Sequence, residues 1–121
     1  DRLILLHGYP QTHACWHKMA PILIENFTVI IPDLRGYGDS IGPDPDIDNQ
    51  LYSKRAMARD IEHVLNDLSI EVASVVGHDR GGRVAYRFAL DHPDRIRKLI
   101  VLDIIPTSEM WEKMTAQAFI S

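Results

Sequence analysis

Val75-Val76-Gly77-His78-Asp79-Arg80-Gly81-Gly82-Arg83 is the stretch on which the reading of the chain turns. The apolar run over residues 73–76 reads as a short buried strand, and the spacing of apolar residues over 83–90 reads as a helix. Between them a sharp turn carries one reactive side chain at its tip. The pattern is G-x-D-x-G, with Asp79 where a nucleophile elbow usually has Ser. Gly77 and Gly81 flank the tip because so tight a turn leaves no room for Cβ atoms or calls for positive φ. A carboxylate there is a candidate nucleophile, since Asp forms covalent esters. Helix capping, a role Asp favours, is the alternative, and it leaves the two glycines unexplained.

The 121-residue chain is ordinary in bulk: 45% hydrophobic, 25% charged, net charge -4. That length suits one modest domain. An acidic balance argues against a nucleic-acid partner, which would want a basic stripe. No apolar stretch has membrane-spanning length, so no membrane partner is expected. One cysteine, Cys15, excludes an internal disulfide and fits a reducing compartment such as the cytoplasm.

Taken in order, residues 2–6 (Arg-Leu-Ile-Leu-Leu) form a continuous apolar run, as in a strand buried on both faces of a parallel sheet. His7-Gly8-Tyr9-Pro10 is a turn by composition. Thr12 is placed to cap a helix through Trp16, Met19, Ala20 and Leu23. A second strand over 27–31 ends at Pro32-Asp33. Residues 34–50 are a long Gly-, Pro- and Asp-rich loop, of the kind that carries function. The spacing predicts a helix over 52–68, with Ala56, Ile61, Val64, Leu65 and Leu68 as its apolar stripe. After the elbow and its helix, Asp91-His92-Pro93 is a stop. A fourth strand covers 98–102, and Thr107 or Ser108 caps a last helix through Met110, Trp111 and Met114. Alternating strands and helices mean an α/β fold: an open parallel sheet of about four strands with flanking helices. No linker divides residues 1–121, so they form a single, partial core domain. Its two bare sheet edges and the helical pattern still running at Ser121 suggest an internal piece of a longer protein.

Open parallel sheets bind ligands outside the carboxyl ends of their strands. His7-Gly8-Tyr9, Asp33-Leu34-Arg35, Asp79-Arg80 and Asp103 all fall at such ends. These motifs, with Gly36-Tyr37-Gly38, together resemble the α/β-hydrolase fold, and in particular its Asp-nucleophile branch of dehalogenases and epoxide hydrolases. Gly-His-Asp-Arg-Gly-Gly-Arg, Ala-Leu-Asp-His-Pro-Asp and Val-Leu-Asp-Ile-Ile-Pro-Thr are similar, nearly residue for residue, to the haloacetate (fluoroacetate) dehalogenases. The resemblance runs along almost the whole chain. It implies that Asp79 displaces halide to leave an enzyme ester, which a histidine-activated water hydrolyses. It implies that Asp103 orients that histidine, and that Arg80 and Arg83 hold the substrate carboxylate. Tyr9 stands where the family's site-lining turn usually has Phe. The family's catalytic His, and the His, Trp and Tyr of its halide-binding cap, are expected beyond Ser121, so residues 1–121 alone would not complete turnover. No metal or organic cofactor is implied.

Charge independently supports an anionic substrate, such as the small 2-haloacid that the resemblance implies. A carboxylate nucleophile approaching a second carboxylate meets repulsion of about 4 kcal/mol at about 4 Å and an effective dielectric of about 20. Two guanidiniums spaced i, i+3 at a helix start can offset it; as surface charges they would instead pair with Asp79 or Asp103. Asp103 could equally be a plain turn residue closing its strand. His13 and His17, at i, i+4, lack a third ligand and read as surface or rim residues rather than a zinc site. His7 and His78 read as structural, and Asp33 with Arg35 as an ion pair bracing the loop. The runner-up activity is epoxide hydrolysis by the same Asp. An ester or lactone hydrolase is disfavoured because acyl transfer to Asp gives an anhydride. A rival of another class is a non-catalytic module that binds small carboxylates or assembles as a homo-oligomer.

Overall fold

The computed structural model describes residues 1–48 and 50–104. Among these residues, β1 (Arg2–Leu6), β2 (Thr28–Ile30), β3 (Ala73–His78) and β4 (Ile96–Leu102) pair in parallel in the order β2-β1-β3-β4. The apolar run of β1 is continuous because both of its faces are covered. Ile4 and Leu6 join Met57, Ile61, Leu65, Val84 and Phe88 on one face. Leu3 and Leu5 join Trp16 on the other. The chain steps outward from β1 to β2, then returns past β1 to β3. Right-handed crossovers in opposite directions place their connections on opposite faces. Helix α1 (Ala20–Leu23) accordingly lies on the Trp16 side, through Leu23, while α2 (Lys54–Asp67) and α3 (Arg80–Asp91) pack on the other. The direction reverses between β1 and β3, which makes their carboxyl ends the expected ligand crevice.

Several elements differ from the sequence reading for identifiable reasons. Thr12 does cap, accepting from the Ala14 amide at 3.3 Å, but it opens a 3-10 segment, His13–Trp16, rather than one long helix. The α-helix restarts at Ala20 with Pro21 in its first turn, where a missing N–H costs no hydrogen bond. Ser53 caps α2 by accepting from the Ala56 amide at 3.1 Å, so the helix starts after Tyr52. Its buried stripe is Met57, Ala58, Ile61 and Leu65; Leu68, past its last turn, is exposed. β3 runs on to His78, and α3 starts at Arg80 rather than Arg83, so the elbow is a single residue. The helix expected through Met110, Trp111 and Met114, with its cap at Thr107 or Ser108, lies outside the described residues.

The expected Asp33–Arg35 ion pair does not form. Arg35 instead forks onto Asp60, with Nε and Nη2 at 2.9 and 2.6 Å from its two oxygens. Asp33 turns the other way and accepts from the His13 amide at 2.7 Å, the His13 ring at 2.8 Å and the Asp39 amide at 2.9 Å. It thereby ties the turn after β1 to the loop after β2. Burial would raise the Asp33 carboxyl, but the His13 and Asp39 amides and the His13 ring outweigh it and hold it at about 2. A depressed carboxyl contributes stability that is complete above its unfolded value of 3.8 and is lost as pH falls toward about 2. Urea unfolding at neutral and acid pH should therefore show Asp33→Asn less stable than the parent at pH 7. The two proteins should converge as the pH drops through that window. A gap that is the same at both pH values would contradict the assignment.

Candidate active site

The site is assembled where β1 and β3 end together. Leu6 pairs with Gly77, and His78 pairs with Leu102 of β4. Asp79 and Asp103 therefore each stand one residue past a paired position. The Asp79 amide donates to the Leu102 carbonyl at 3.0 Å. Asp79 itself sits at φ 52°, ψ -116° and its side chain makes no cap hydrogen bond to α3. That backbone region is essentially glycine's, and a side chain held there costs on the order of 1–3 kcal/mol. The capping alternative therefore fails: the residue holds a strained conformation without the bond that capping would give.

The flanking glycines answer to close approach, not to positive φ, which belongs to Asp79. A Cβ at Gly81 would lie 2.3 Å from the His7 carbonyl oxygen, and one at Gly77 would lie 2.3 Å from that of Gly81. The first turn of α3 is thus pressed against the ends of β1 and β3. Gly8 is as confined, with Asp79 Cβ 2.5 Å from where its own Cβ would be. Backbone passes beside the elbow there, and the next amide, that of Tyr9, donates to Asp79 Oδ2 at 2.9 Å. This Tyr9 bond is the main reason that the Asp79 carboxyl lies below its ordinary value. Burial opposes it, while the Arg80 amide, His78 and the Arg80 charge act in the same direction. One oxygen of a half-buried, ionised carboxylate is thus anchored on the Tyr9 backbone N–H.

Arg80 and Tyr9 come together as the sequence suggested. The Arg80 guanidinium lies 5.1 Å from the centre of the Tyr9 ring and 5.9 Å from that of Tyr37. Its Nη1 donates to the Tyr37 hydroxyl at 2.5 Å. Two aromatic faces and a hydroxyl thus orient the cation beside the elbow. Arg83, one turn further along α3, is exposed. Among the described residues, no ion pair joins either arginine to Asp79 or Asp103. The surface-pair alternative finds no support there. Asp103, at φ 56°, has its Oδ2 3.6 Å from His78 Nε2, and its side chain is 85% exposed.

Three participants were not assigned to the site from sequence. Tyr37 touches His7, Tyr9 and Arg80 from the loop after β2. Lys54 opens α2, and its ammonium is held below its ordinary value, first by burial and then by Arg80 and Arg83; Asp79 acts the other way. A third cation therefore shares the electrostatic environment of the elbow. Gln11 bonds both Gly8 and His78. The contacts of Tyr37 and the Gln11–His78 bond span tens of residues, so local patterning carries no trace of them. The available signal was the Gly36-Tyr37-Gly38 motif around Tyr37.

The histidines behave as the sequence reading anticipated. His7 is fully buried; its Nε2 accepts from the Leu34 amide at 2.9 Å, so Nδ1 carries the proton toward the Gly8 carbonyl at 3.0 Å. His13 is bound to Asp33, and His17 Nδ1 lies 2.8 Å from the Ala14 carbonyl. Among the described residues, no group of His, Cys, Asp or Glu is arranged to hold a metal, and no helix is long and apolar enough to cross a membrane.

This geometry can be set beside known proteins. The pattern of the alpha/beta hydrolase fold family matches residues 1–119. A fluoroacetate dehalogenase from Burkholderia sp is 50% identical over 112 residues, covering 93% of this chain and 37% of its own length. A soluble epoxide hydrolase from Corynebacterium sp. (strain C12) is 46% identical over 104 residues, 86% of this chain and 35% of that protein. In structure, an alpha/beta hydrolase from Nostoc sp PCC 7120 superposes with a TM-score of 0.87 at 55% identity, over 96% of this chain and 40% of that one. The chain spans little more than a third of the length of these two curated relatives. The parallel sheet in the order β2-β1-β3-β4, the one-residue elbow at Asp79 and the match over residues 1–119 agree: the chain belongs to the α/β-hydrolase fold family.

Proposed function

We propose that the protein containing this chain is a hydrolase that cleaves the carbon–halogen bond of a short 2-haloacid, such as a haloacetate, through an ester on Asp79. The observation that carries this reading is the Asp79 carboxylate itself: ionised, on a strained backbone, with Oδ2 held by the Tyr9 amide at 2.9 Å and the Arg80 guanidinium close by. Oδ1 then attacks the carbon bearing the halogen. The new C–O bond forms as the C–X bond breaks, and halide leaves with the bonding pair. Arg80 and Arg83 take the substrate carboxylate and offset its repulsion by Asp79, with Lys54 adding positive charge nearby. Water, activated by a histidine, then attacks the ester carbonyl. The oxyanion that forms stays on the Tyr9 amide, a preorganised donor of the kind that stabilises such intermediates. Collapse releases the hydroxyacid and restores Asp79. Asp103, 3.6 Å from His78 and otherwise open to solvent, orients the activating histidine. Metal and organic cofactors have no part in this scheme, and the site works in a reducing, cytoplasmic setting.

A second reading, epoxide opening by the same Asp79, is favoured by the 46% identity to the Corynebacterium epoxide hydrolase. The two readings differ at Arg80, because an epoxide brings no carboxylate for a guanidinium to hold. Incubating the full-length protein with fluoroacetate, chloroacetate and a neutral epoxide, with halide and diol both assayed, separates them. Halide release with either haloacetate is expected. Diol formation without halide would replace the proposal with the second reading.

A further inference from the structure

The turn over residues 8–11 is fixed from both sides. His7 reaches the Gly8 carbonyl at 3.0 Å, and the Gln11 amide donates to the same oxygen at 2.8 Å. On the other side, the Gly8 amide donates to Gln11 Oε1 at 3.2 Å. A backbone amide can only donate, so the atom it meets is the Gln11 oxygen and not the nitrogen. The same oxygen lies 3.2 Å from His78 Nδ1. That nitrogen must therefore carry a proton, and the ring's other nitrogen faces Asp103 at 3.6 Å. A continuous series of contacts thus runs from Asp103 through His78 and Gln11 to Gly8. The peptide after Gly8 presents the Tyr9 amide that holds Asp79 Oδ2.

We infer that Gln11, held by His78, is a positioning residue that keeps the Tyr9 amide on the Asp79 carboxylate. The inference rests on the proposed function for its catalytic consequence, but not for its structural one. Gln11 touches neither substrate nor Asp79. Its side chain acts by holding the Gly8 N–H, which fixes the peptide from which the next one, carrying the Tyr9 N–H, is aimed; the carbonyl of that next peptide is held by His7 and by Gln11's own amide. The consequence falls on the step that builds negative charge on the Asp79 carbonyl, which is hydrolysis of the ester. Substrate binding, carried by Arg80 and Arg83, is spared.

The test uses three variants of the full-length protein. Gln11→Leu keeps the shape and removes the acceptor. Gln11→Glu keeps an acceptor for both donors. His78→Asn keeps a donor near the Nδ1 position and gives up the contact to Asp103. Amide hydrogen exchange at Tyr9 is the first readout and needs no activity. It should quicken by about tenfold or more in Gln11→Leu, as expected when a hydrogen bond worth roughly 1.4 kcal/mol is released, and stay near the parent in Gln11→Glu and His78→Asn. Rapid quenching during haloacetate turnover, followed by mass analysis of the Asp79 peptide, is the second. Gln11→Leu should accumulate the ester, with kcat down by about 10–100-fold and KM falling in step so that kcat/KM is little changed, and Gln11→Glu should restore turnover. Unchanged Tyr9 exchange in Gln11→Leu overturns the inference. So does a parallel loss of ester formation and ester hydrolysis. Absence of ester in the parent protein would instead count against the proposed function, while Tyr9 exchange still decides the role of Gln11.

Discussion

Asp79→Gly is expected to abolish turnover without destabilising the protein. Loss of the nucleophile should lower kcat by about 10^4-fold or more, since no second residue can take over covalent attack. Stability should move the other way or not at all. Glycine occupies φ 52°, ψ -116° freely, whereas Asp79 is strained there. The single bond lost, from the exposed Tyr9 amide, can be replaced by water. Halide release and urea midpoints on the same preparations check both halves. A drop of more than about 1 kcal/mol in stability would mean that the carboxylate is a structural cap after all. A dead but equally stable variant is the expected signature of strain held for function.

Arg80→Met should lower kcat/KM for haloacetates by about 30–150-fold, the equivalent of about 2–3 kcal/mol for a charge-assisted pair. Turnover of any neutral epoxide should be little affected. Methionine keeps the aliphatic stem against Tyr9 and removes the charge, so packing loss does not confuse the result. Arg83→Met should cost less than Arg80→Met. Arg80 is oriented by the Tyr37 hydroxyl and two rings, whereas exposed Arg83 must give up side-chain freedom on binding. Equal losses on haloacetate and epoxide would show that Arg80 shapes the site rather than reads the substrate's charge. The pH profile of ester formation bears on the same arrangement. With Asp79 held below its ordinary value, the nucleophile stays ionised through the usual carboxylate range, so the acid limb should fall below about 3.9. Removing the Arg80 charge should move that limb upward.

The fold was readable where burial is imposed on both faces of a strand. The unbroken apolar runs of β1 and β3, and the elbow between β3 and α3, carried their meaning in consecutive residues. Segments whose geometry depends on a partner far along the chain were not. Residues 12–23 show helical spacing, yet Pro21 makes the helix restart, because its ring fits only a first turn. Asp33 and Arg35 were read correctly as braces and given the wrong partners. Each found its mate on another element, His13 and Asp60, which lie 20 and 25 residues away in the chain. The candidate site was legible as Asp79, Asp103, Arg80, Arg83 and Tyr9 because each lies in or beside a strand-end motif. Tyr37, Lys54 and Gln11 lie in a loop, at a helix start and in a turn. Only the sheet order brings those three elements to the same edge.

The proposal depends above all on whether Asp79 bonds covalently to the substrate carbon or only guides a water to it. One turnover in heavy-oxygen water, with the full-length protein in excess over haloacetate, distinguishes the two. If Asp79 attacks, the hydroxyacid takes its new oxygen from the enzyme and remains unlabelled, and the label appears in the peptide containing Asp79. Label in the first hydroxyacid released, with an unlabelled Asp79 peptide, would contradict the account.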